Sequence, residues 1–380
     1  MDLKMMIKAH AKELGIDKIG FTTADNFAAL KPSLLAQKAA GHTTGFEHQN
    51  IDDRLYPDKF FAQPQSIIAI ALAYPAKIHE RPPRTGPKRG RFARASWGID
   101  YHTVLDRKMA SLIKFIKRTA ENDPNLRFKP MVDTGELIDV VVAQRAGVGF
   151  IGKNGLLITP EFGSYVYLGE IITNIKFAPD EPMTSQCGDC TRCIDFCPPK
   201  ALLGDGRMNG QRCLSYQTQT KGYMDPEFRP MIRNVLYGCD ICQQVCPFNK
   251  GKDFHIHPEM EPDPETVLPE LIPMLTLTNK DFKTRFGKLA GAWRGKKPLQ
   301  RNAIIALVNL HDRSAIPHLL EVIEHDPRPM IRATAAWAVG KLQSSSNPEI
   351  ETFLKTALAK ETTPEAQVAF QDALDHLTQH

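Results

Sequence analysis

All eight cysteines of this 380-residue chain fall between Cys187 and Cys246, and their spacing dictates what that segment can hold. The first run is Cys187-x2-Cys190-x2-Cys193-x3-Cys197-Pro198. Cys213 follows alone, and the second run is Cys239-x2-Cys242-x3-Cys246-Pro247. A run of the first kind presents three thiolates to one [4Fe–4S] cluster and passes its last cysteine to the other. The spacing therefore assigns Cys187, Cys190, Cys193 and Cys246 to one cluster. The second takes Cys197, Cys239, Cys242 and, by elimination, Cys213, because its own run is one cysteine short. Zinc and disulfides are the competing uses. Zinc sites favour a longer gap between ligand pairs, and both Cys-Pro endings favour clusters. With every thiol committed to metal, none is left for a disulfide, as expected of a protein in a reducing cytoplasm.

Paired clusters pass single electrons, so the chain reads as redox machinery. The opening Met1–Met6 leads into an amphipathic helical pattern and not into a signal peptide. The longest apolar stretch, Ser66–Ala73, is too short to span a bilayer, so no membrane partner is expected. The length suggests two or three domains. Lys and Arg number 48 against 43 Asp and Glu, a net +5, so the distribution of charge says more than its total.

Residues 1–180 read as mixed α and β. Lys4–Leu14 and Tyr101–Ile116 have helical apolar spacing, with Leu105, Met109, Leu112 and Ile116 on one face. Lys18–Thr22, Ser66–Ala73, Arg127–Val132 and Tyr165–Ile172 read as strands. Residues 181–252 form an inserted cysteine domain, and the Pro- and acid-rich stretch Pro258–Glu265 marks a boundary. Residues 276–380 are a repeat. Leu299–Leu310 aligns with Ile331–Leu342 at an offset of 32 residues, superposing Ala303 on Ala335, Ala306 on Ala338 and Leu310 on Leu342. A degenerate third copy ends in Ala373 and Leu377. Small residues on one helical face permit close packing, so the pattern predicts stacked helical pairs of the HEAT type.

Two basic runs stand out. Between Lys280 and Arg301 there are eight basic residues and one acid, with Trp293 among them; between Lys77 and Arg94 there are seven and one. Phosphate backbones attract this pattern, although a basic run is usually a solvated face. Gly147-x-Gly149-x-x-Gly152 imitates a dinucleotide fingerprint, but the order is wrong. A helix candidate, Glu136–Ala146, precedes it and a strand candidate, Gly155–Thr159, follows, whereas the fingerprint must follow a strand and open a helix. These glycines are expected to let backbone approach some other bulky ligand.

Taken together, Ala93–His102, Val132-Asp133-Thr134-Gly135, Ala143–Asn154, the cysteine pattern, Arg212–Tyr216 and the Arg301-Asn302-Ala303 repeat resemble the epoxyqueuosine reductase family. The resemblance covers nearly the whole chain. It implies an α+β multidomain fold: a nitroreductase-like α/β core that binds cobalamin, an inserted two-cluster ferredoxin-like domain and C-terminal HEAT-like repeats that bind tRNA. The implied reaction turns the cyclopentane epoxide of epoxyqueuosine, at the wobble position of a tRNA anticodon stem-loop, into the alkene of queuosine. It requires two electrons, two protons and loss of water, with base-off cobalamin and a low-potential electron donor of unknown identity; a cytoplasmic monomer is expected.

The family's acid maps to Asp133, which on the residues alone reads rather as the N-cap of the helix at Glu136; the resemblance favours catalysis, and the two roles are compatible. An epoxide oxygen leaves only when protonated. Asp133 would donate that proton, a task that requires a carboxylic acid still protonated near neutral pH and that burial beside an apolar corrin face would favour. Arg54, Tyr101, His102, Asp133, Arg145, Ser215, Gly238 and Asp240 are the candidate corrin contacts, with the second cluster nearest the cobalt. Lys296, Lys297 and Arg301 are the candidate tRNA contacts. Two rival classes are a cobalamin-dependent reductase of a small molecule, of dehalogenase type, and an iron–sulfur electron-transfer scaffold.

Overall fold

The computed structural model describes residues 2–83, 85–343 and 347–378. Met1 and Arg84, the latter in the basic run Lys77–Arg94, lie outside the described residues. The chain divides into two compact units, each assembled from three stretches: residues 1–77, 98–213 and 240–261 in the first, and 78–97, 214–239 and 262–380 in the second. The last boundary falls inside the Pro- and acid-rich stretch. Among the described residues no helix is long and apolar enough to cross a membrane.

The first unit is built on a four-stranded antiparallel sheet. Its strands are β1 (Lys18–Thr23), β2 (Ser66–Ala73), β4 (Phe128–Met131) and β7 (Val166–Thr173), in the spatial order β1-β2-β7-β4. Every residue of β2 is buried, which is why that segment is apolar without alternation. The register pairs Ile68 with Phe21 on one side and Ile171 on the other. Helices α1 (Leu3–Glu13), α2 (Lys31–Ala39), α3 (Ile51–Leu55), α4 (Tyr101–Thr119) and α5 (Asp139–Arg145) surround the sheet. In α4, Asp100 caps the first turn by accepting the His102 N–H, and Leu105, Met109, Leu112 and Ile116 are buried along one face, as their spacing predicts.

The connection from β4 to α5 departs from expectation. The helix begins at Asp139, not at Glu136, and its N-cap position is Ile138, so Asp133 is not the cap. Asp133 instead has a left-handed backbone, φ 50°. After α5, Gly147 adopts φ 72° and a short hairpin follows, β5 (Phe150–Ile151) with β6 (Leu157–Ile158). The glycines there serve the fold: a Cβ on Gly147 would lie 2.5 Å from the Glu181 carbonyl oxygen, and one on Gly149 2.6 Å from that of Ile158. At these two glycines the close approach is to the chain's own backbone, not to a ligand as expected, whereas a Cβ on Gly152 would meet the side chains of Asn154 and Ile158. The unit is completed by the one-turn helices α6 (Arg192–Asp195) and α8 (Ile241–Gln244), each inside a cysteine run.

The second unit contains a short parallel pair, β3 (Arg91–Phe92) with β8 (Val235–Tyr237), together with α7 (Leu214–Gln217), α9 (Pro264–Val267) and α10 (Asn279–Phe286). The repeat follows as α11 (Lys296–Asn309), α12 (Ile316–His325), α13 (Pro329–Leu342), α14 (Pro348–Lys360) and α15 (Pro364–Thr378). Ala303, Ala306, Ala335, Ala338 and Ala373 are all buried. A Cβ on Gly340 of α13 would stand 2.9 Å from the Ala373 Cα of α15, so the small-residue face does bring helices close.

Candidate metal centre and active site

Cys187, Cys190, Cys193 and Cys246 line one small cavity in the first unit, with Lys153, Asn154, Ile158, Pro247 and Phe248. The second cysteine run is pinned there by a buried polar cluster. Asn249 accepts the Ser164 N–H and donates to the Ser164 hydroxyl and the Gln243 carbonyl; Gln243 in turn accepts from Ser164 and Tyr74. Burial, then the neighbouring thiols of Cys187 and Cys246, push the Cys193 thiol up. Burial, then Cys187 and Cys190, do the same to Cys246. Four thiols gathered on one cavity, two of which resist ionising beside their neighbours, suit a cationic centre that would absorb their charge. Asn154, 4% exposed, has an Nδ2 donor with no partner among the described residues, and it faces the same cavity, where a cluster sulfide would accept it. The donor set fits an iron–sulfur cluster. Cys197, Cys213 and Cys242 belong to the first unit and Cys239 to the second.

The second site in the first unit gathers around Asp133. Its carboxyl is 64% exposed and lies 3.8 Å from Nε2 of His102. That nitrogen is buried and has no hydrogen bond among the described residues, while Nδ1 is held 2.8 Å from Asp100. The bond to Asp100, opposed by burial and helped by the Asp133 carboxylate, raises the proton affinity of His102. His102 stacks on Tyr101 at 4.2 Å and Tyr101 on Tyr167 at 4.5 Å, and Tyr167 packs at a tilt of 35° against Tyr74 at 4.4 Å. The acid thus stands at the end of a column of rings.

Arg54 is half-buried, and burial lowers its proton affinity against the pull of Glu47 and Asp139. Arg145, at the far end of α5, donates to the Thr22 hydroxyl and to the carbonyls of Thr23 and Asp25, over the Phe27 ring at 3.7 Å. It clasps the end of β1. Sequence reasoning missed Asp139 and Glu170, two inward-facing acids next to Asp133. The available signal was Glu170 itself, the one charge in the otherwise apolar strand Tyr165–Ile172.

In the second unit, Gly238 has φ 73° and gives its N–H to the Thr218 hydroxyl, while the Ser215 carbonyl accepts from Thr218 and Gln219. Asp240, in the first unit, is buried at the start of α8. Lys296 and Lys297 line a cavity of about 560 Å³ with Arg294, His325 and Arg328. Arg301 does not join them. It is 0% exposed and donates to the carbonyls of Gln217, Thr220 and Gly222, to the Thr220 hydroxyl and to Asn302. A guanidinium so enclosed offers nothing to an external phosphate, which corrects its assignment as a tRNA contact.

A cysteine-lined metal site, an α/β sheet with an exposed acid at its edge and a helical-repeat region define an iron–sulfur oxidoreductase. Three family models match: "Epoxyqueuosine reductase QueG, DUF1730" over residues 54–134, "4Fe-4S double cluster binding domain" over 186–249 and "HEAT repeats" over 294–375. The chain is 56% identical to an epoxyqueuosine reductase of Listeria monocytogenes, over 93% of each chain. It matches a crystal structure of an epoxyqueuosine reductase with an epoxyqueuosine-modified tRNA-Tyr stem loop at 51% identity, TM-score 0.95 and 99% coverage of both chains. A Bacillus subtilis epoxyqueuosine reductase, whose catalytic Asp loop is described as swung out of the active site, matches at 51% identity, TM-score 0.94 and 99% coverage of both. The chain belongs to the epoxyqueuosine reductase family.

Proposed function

We propose that this chain reduces the epoxide of epoxyqueuosine in tRNA to the alkene of queuosine. The observation that carries the reading is the full-length similarity to epoxyqueuosine reductases, held by a chain that keeps the eight cysteines, the exposed acid and the repeats together. Cys187, Cys190, Cys193 and Cys246 would hold one [4Fe–4S] cluster, and Cys197, Cys213, Cys239 and Cys242 the other. Their shared cavity supports the first set; the spacing alone supports the second.

Residues 1–180 are read as a nitroreductase-like, cobalamin-binding catalytic region, 181–252 as the cluster region and 276–380 as the tRNA-binding region. Base-off cobalamin, when bound, would supply a cobalt that takes electrons singly and acts on the epoxide carbon. The column of rings ending in His102, whose buried Nε2 has no hydrogen bond among the described residues, supports Tyr101 and His102 as corrin contacts. Arg54 faces Asp139 at the start of α5 and Arg145 is the last residue of that helix; Ser215, Gly238 and Asp240 rest on the resemblance.

Asp133 delivers the proton that lets the epoxide oxygen leave. Its carboxyl is accessible, and the His102 imidazole beside it orients it. The chain itself does not bury this acid, so dryness must come from the ligands that close over it. The catalytic Asp loop described as swung out of the active site in the Bacillus subtilis relative supports placing the role on this loop. Lys296 and Lys297 face the tRNA backbone, and the modified base, in a loop, can be splayed toward Asp133. The protein acts as a cytoplasmic monomer fed by a low-potential donor.

Purified protein reconstituted with iron, sulfide and cobalamin, given a chemical reductant and tRNA bearing epoxyqueuosine, should yield a nucleoside lighter by one oxygen atom. An unchanged nucleoside, from protein that carries both clusters and corrinoid, would sink the proposal. Turnover of a halogenated small molecule by the same preparation would then favour the dehalogenase-type alternative.

A further inference from the structure

Two acids that this mechanism leaves unused lie one behind the other beneath the Asp133 loop. Glu170 sits mid-strand in β7, paired with Ala69 of β2 and Met131 of β4, and is 1% exposed. Asp139 opens α5. As a residue it keeps some accessible surface, but its carboxyl turns inward, hydrogen-bonds to Glu170 and accepts the Asp133 N–H through Oδ2 at 3.0 Å. Arg54 of α3 faces Asp139 with a guanidinium. Asp133 and Glu136, from the connection between β4 and α5, face the pair with carboxyls, and Lys129 of β4 is tied to Glu136.

Burial first, then the Asp133 carboxylate, push Asp139 up to about 6. Burial first, then the charge of Asp139, hold Glu170 well above the usual carboxylate range. The deeper acid thus holds its proton the more strongly of the two and is the donor in the hydrogen bond that they share.

We propose that Asp139 is a positioning residue for the proton-donating loop: its carboxylate, supported by the Glu170 hydroxyl, clamps the backbone of Asp133 in the conformation that faces His102. The proposal rests on the assignment of Asp133 as the acid. The clamp has work to oppose, because the left-handed backbone at Asp133 is less favourable than the right-handed one for any residue with a Cβ, even though Asp tolerates it better than most. A hydrogen bond to a charged acceptor is roughly twice as strong as one to a neutral acceptor. Protonating Asp139 leaves a neutral acceptor, so the loop is held above about pH 6 and loosened below it.

Amide hydrogen exchange over residues 131–138, corrected for intrinsic rates, reads the clamp without any cofactor. In Asp139→Asn this stretch should exchange about tenfold faster than wild type at pH 8 and equally at pH 5. Asp139→Glu should restore part of the protection. In the loaded enzyme, Asp139→Asn should lower kcat by about tenfold with KM unchanged, and abolish the rise in rate through pH 6. Wild-type protection and an unchanged pH profile in Asp139→Asn would overturn the proposal. Should that variant fail to fold, Glu170→Val removes the supporting hydroxyl. The pH at which wild-type protection is lost should then move from about 6 to about 7, and an unmoved midpoint overturns the clamp. Asp133→Asn separates the two ideas: full turnover there defeats the acid assignment, while the exchange result judges the clamp independently.

Discussion

Arg301 in the second unit and Glu170 in the first are both charged residue types with almost no exposure, yet their surroundings treat them oppositely. Arg301 meets three carbonyls, a hydroxyl and a side-chain amide, and Asn302 beside it ties the Thr218 and Leu236 carbonyls. Glu170 faces other acids, and its Oε1 has no partner among the described residues. A buried charge that is fully satisfied acts as a staple; one removed partner leaves several groups stranded. A buried acid left under-satisfied next to other acids is the kind of arrangement that active sites keep. Both units bear an electrostatic cost, since burial and then Arg229 lower the proton affinity of Arg301 to about 10, but the second unit offsets it with a full set of acceptors and the first, near Asp133, does not.

The largest expected effect tests the functional side of that contrast. Asp133→Asn should lower turnover by about 10²–10⁴-fold while leaving stability nearly unchanged. The side chain is 64% exposed, and Asn tolerates the left-handed backbone well, so little folding energy is at stake. Rates of single turnover, alongside a denaturant titration, measure both halves. A variant that unfolds more readily, or that reacts at the wild-type rate, breaks the contrast.

Arg301→Met tests the structural side. It keeps an unbranched stem but strands the carbonyls of Gln217, Thr220 and Gly222, and should cost the second unit about 3–5 kcal/mol. Whatever protein remains folded should bind tRNA as wild type does, because the guanidinium is enclosed. A loss under about 1 kcal/mol, or a selective loss of RNA affinity, would return Arg301 to the surface role that its sequence context suggests.

That misplacement shows where sequence reading stops. The cysteine spacing, the unbroken apolar run of β2 and the 32-residue offset of the repeat were legible because each reflects a local or periodic constraint. The basic run Lys280–Arg301 was misread at its last member because counting charges ignores which face carries them. Leu299 to Leu307 of α11 are all buried, so Arg301 lies in a helix enclosed on every side. Asp133 was singled out through resemblance, but its conformation was not: a cap was expected, and the chain instead takes its N–H to Asp139, six residues on. The partnership of Asp139 with Glu170 joins a helix start to the middle of a strand, and no periodicity announces a contact of that kind.

A smaller effect follows from the sign of the Asp139 shift. Its proton affinity is higher folded than unfolded, so the stability it contributes is fully present below about pH 4 and is lost as pH rises through about 6. Asp139→Asn removes an ionisation that the fold resists. At pH 8 it should therefore stabilise the first unit by about 1–2 kcal/mol, and at pH 4 hardly at all, even while turnover falls. Thermal unfolding at the two pH values reads this directly. Equal stability changes at both would mean that the acids near Asp133 carry no such cost, and the contrast with Arg301 would lose its energetic basis.

The smallest effect concerns the charges that the second unit does present. Lys296 and Lys297 share a cavity, but they are not equivalent. The Lys296 ammonium donates to the Leu277 carbonyl at 2.7 Å, and burial, with Arg328 nearby, lowers its proton affinity. A cation held inward in this way neutralises a phosphate poorly. Changing both lysines to Ala should therefore flatten the dependence of tRNA affinity on salt by about one unit, not two. Lys297→Ala alone should reproduce most of that change, and the weakening should be uniform across stem sequences, because phosphates carry no base information. A full two-unit change would show that Lys296 releases its carbonyl to meet RNA. An unchanged slope would place the phosphate contacts outside this cavity altogether.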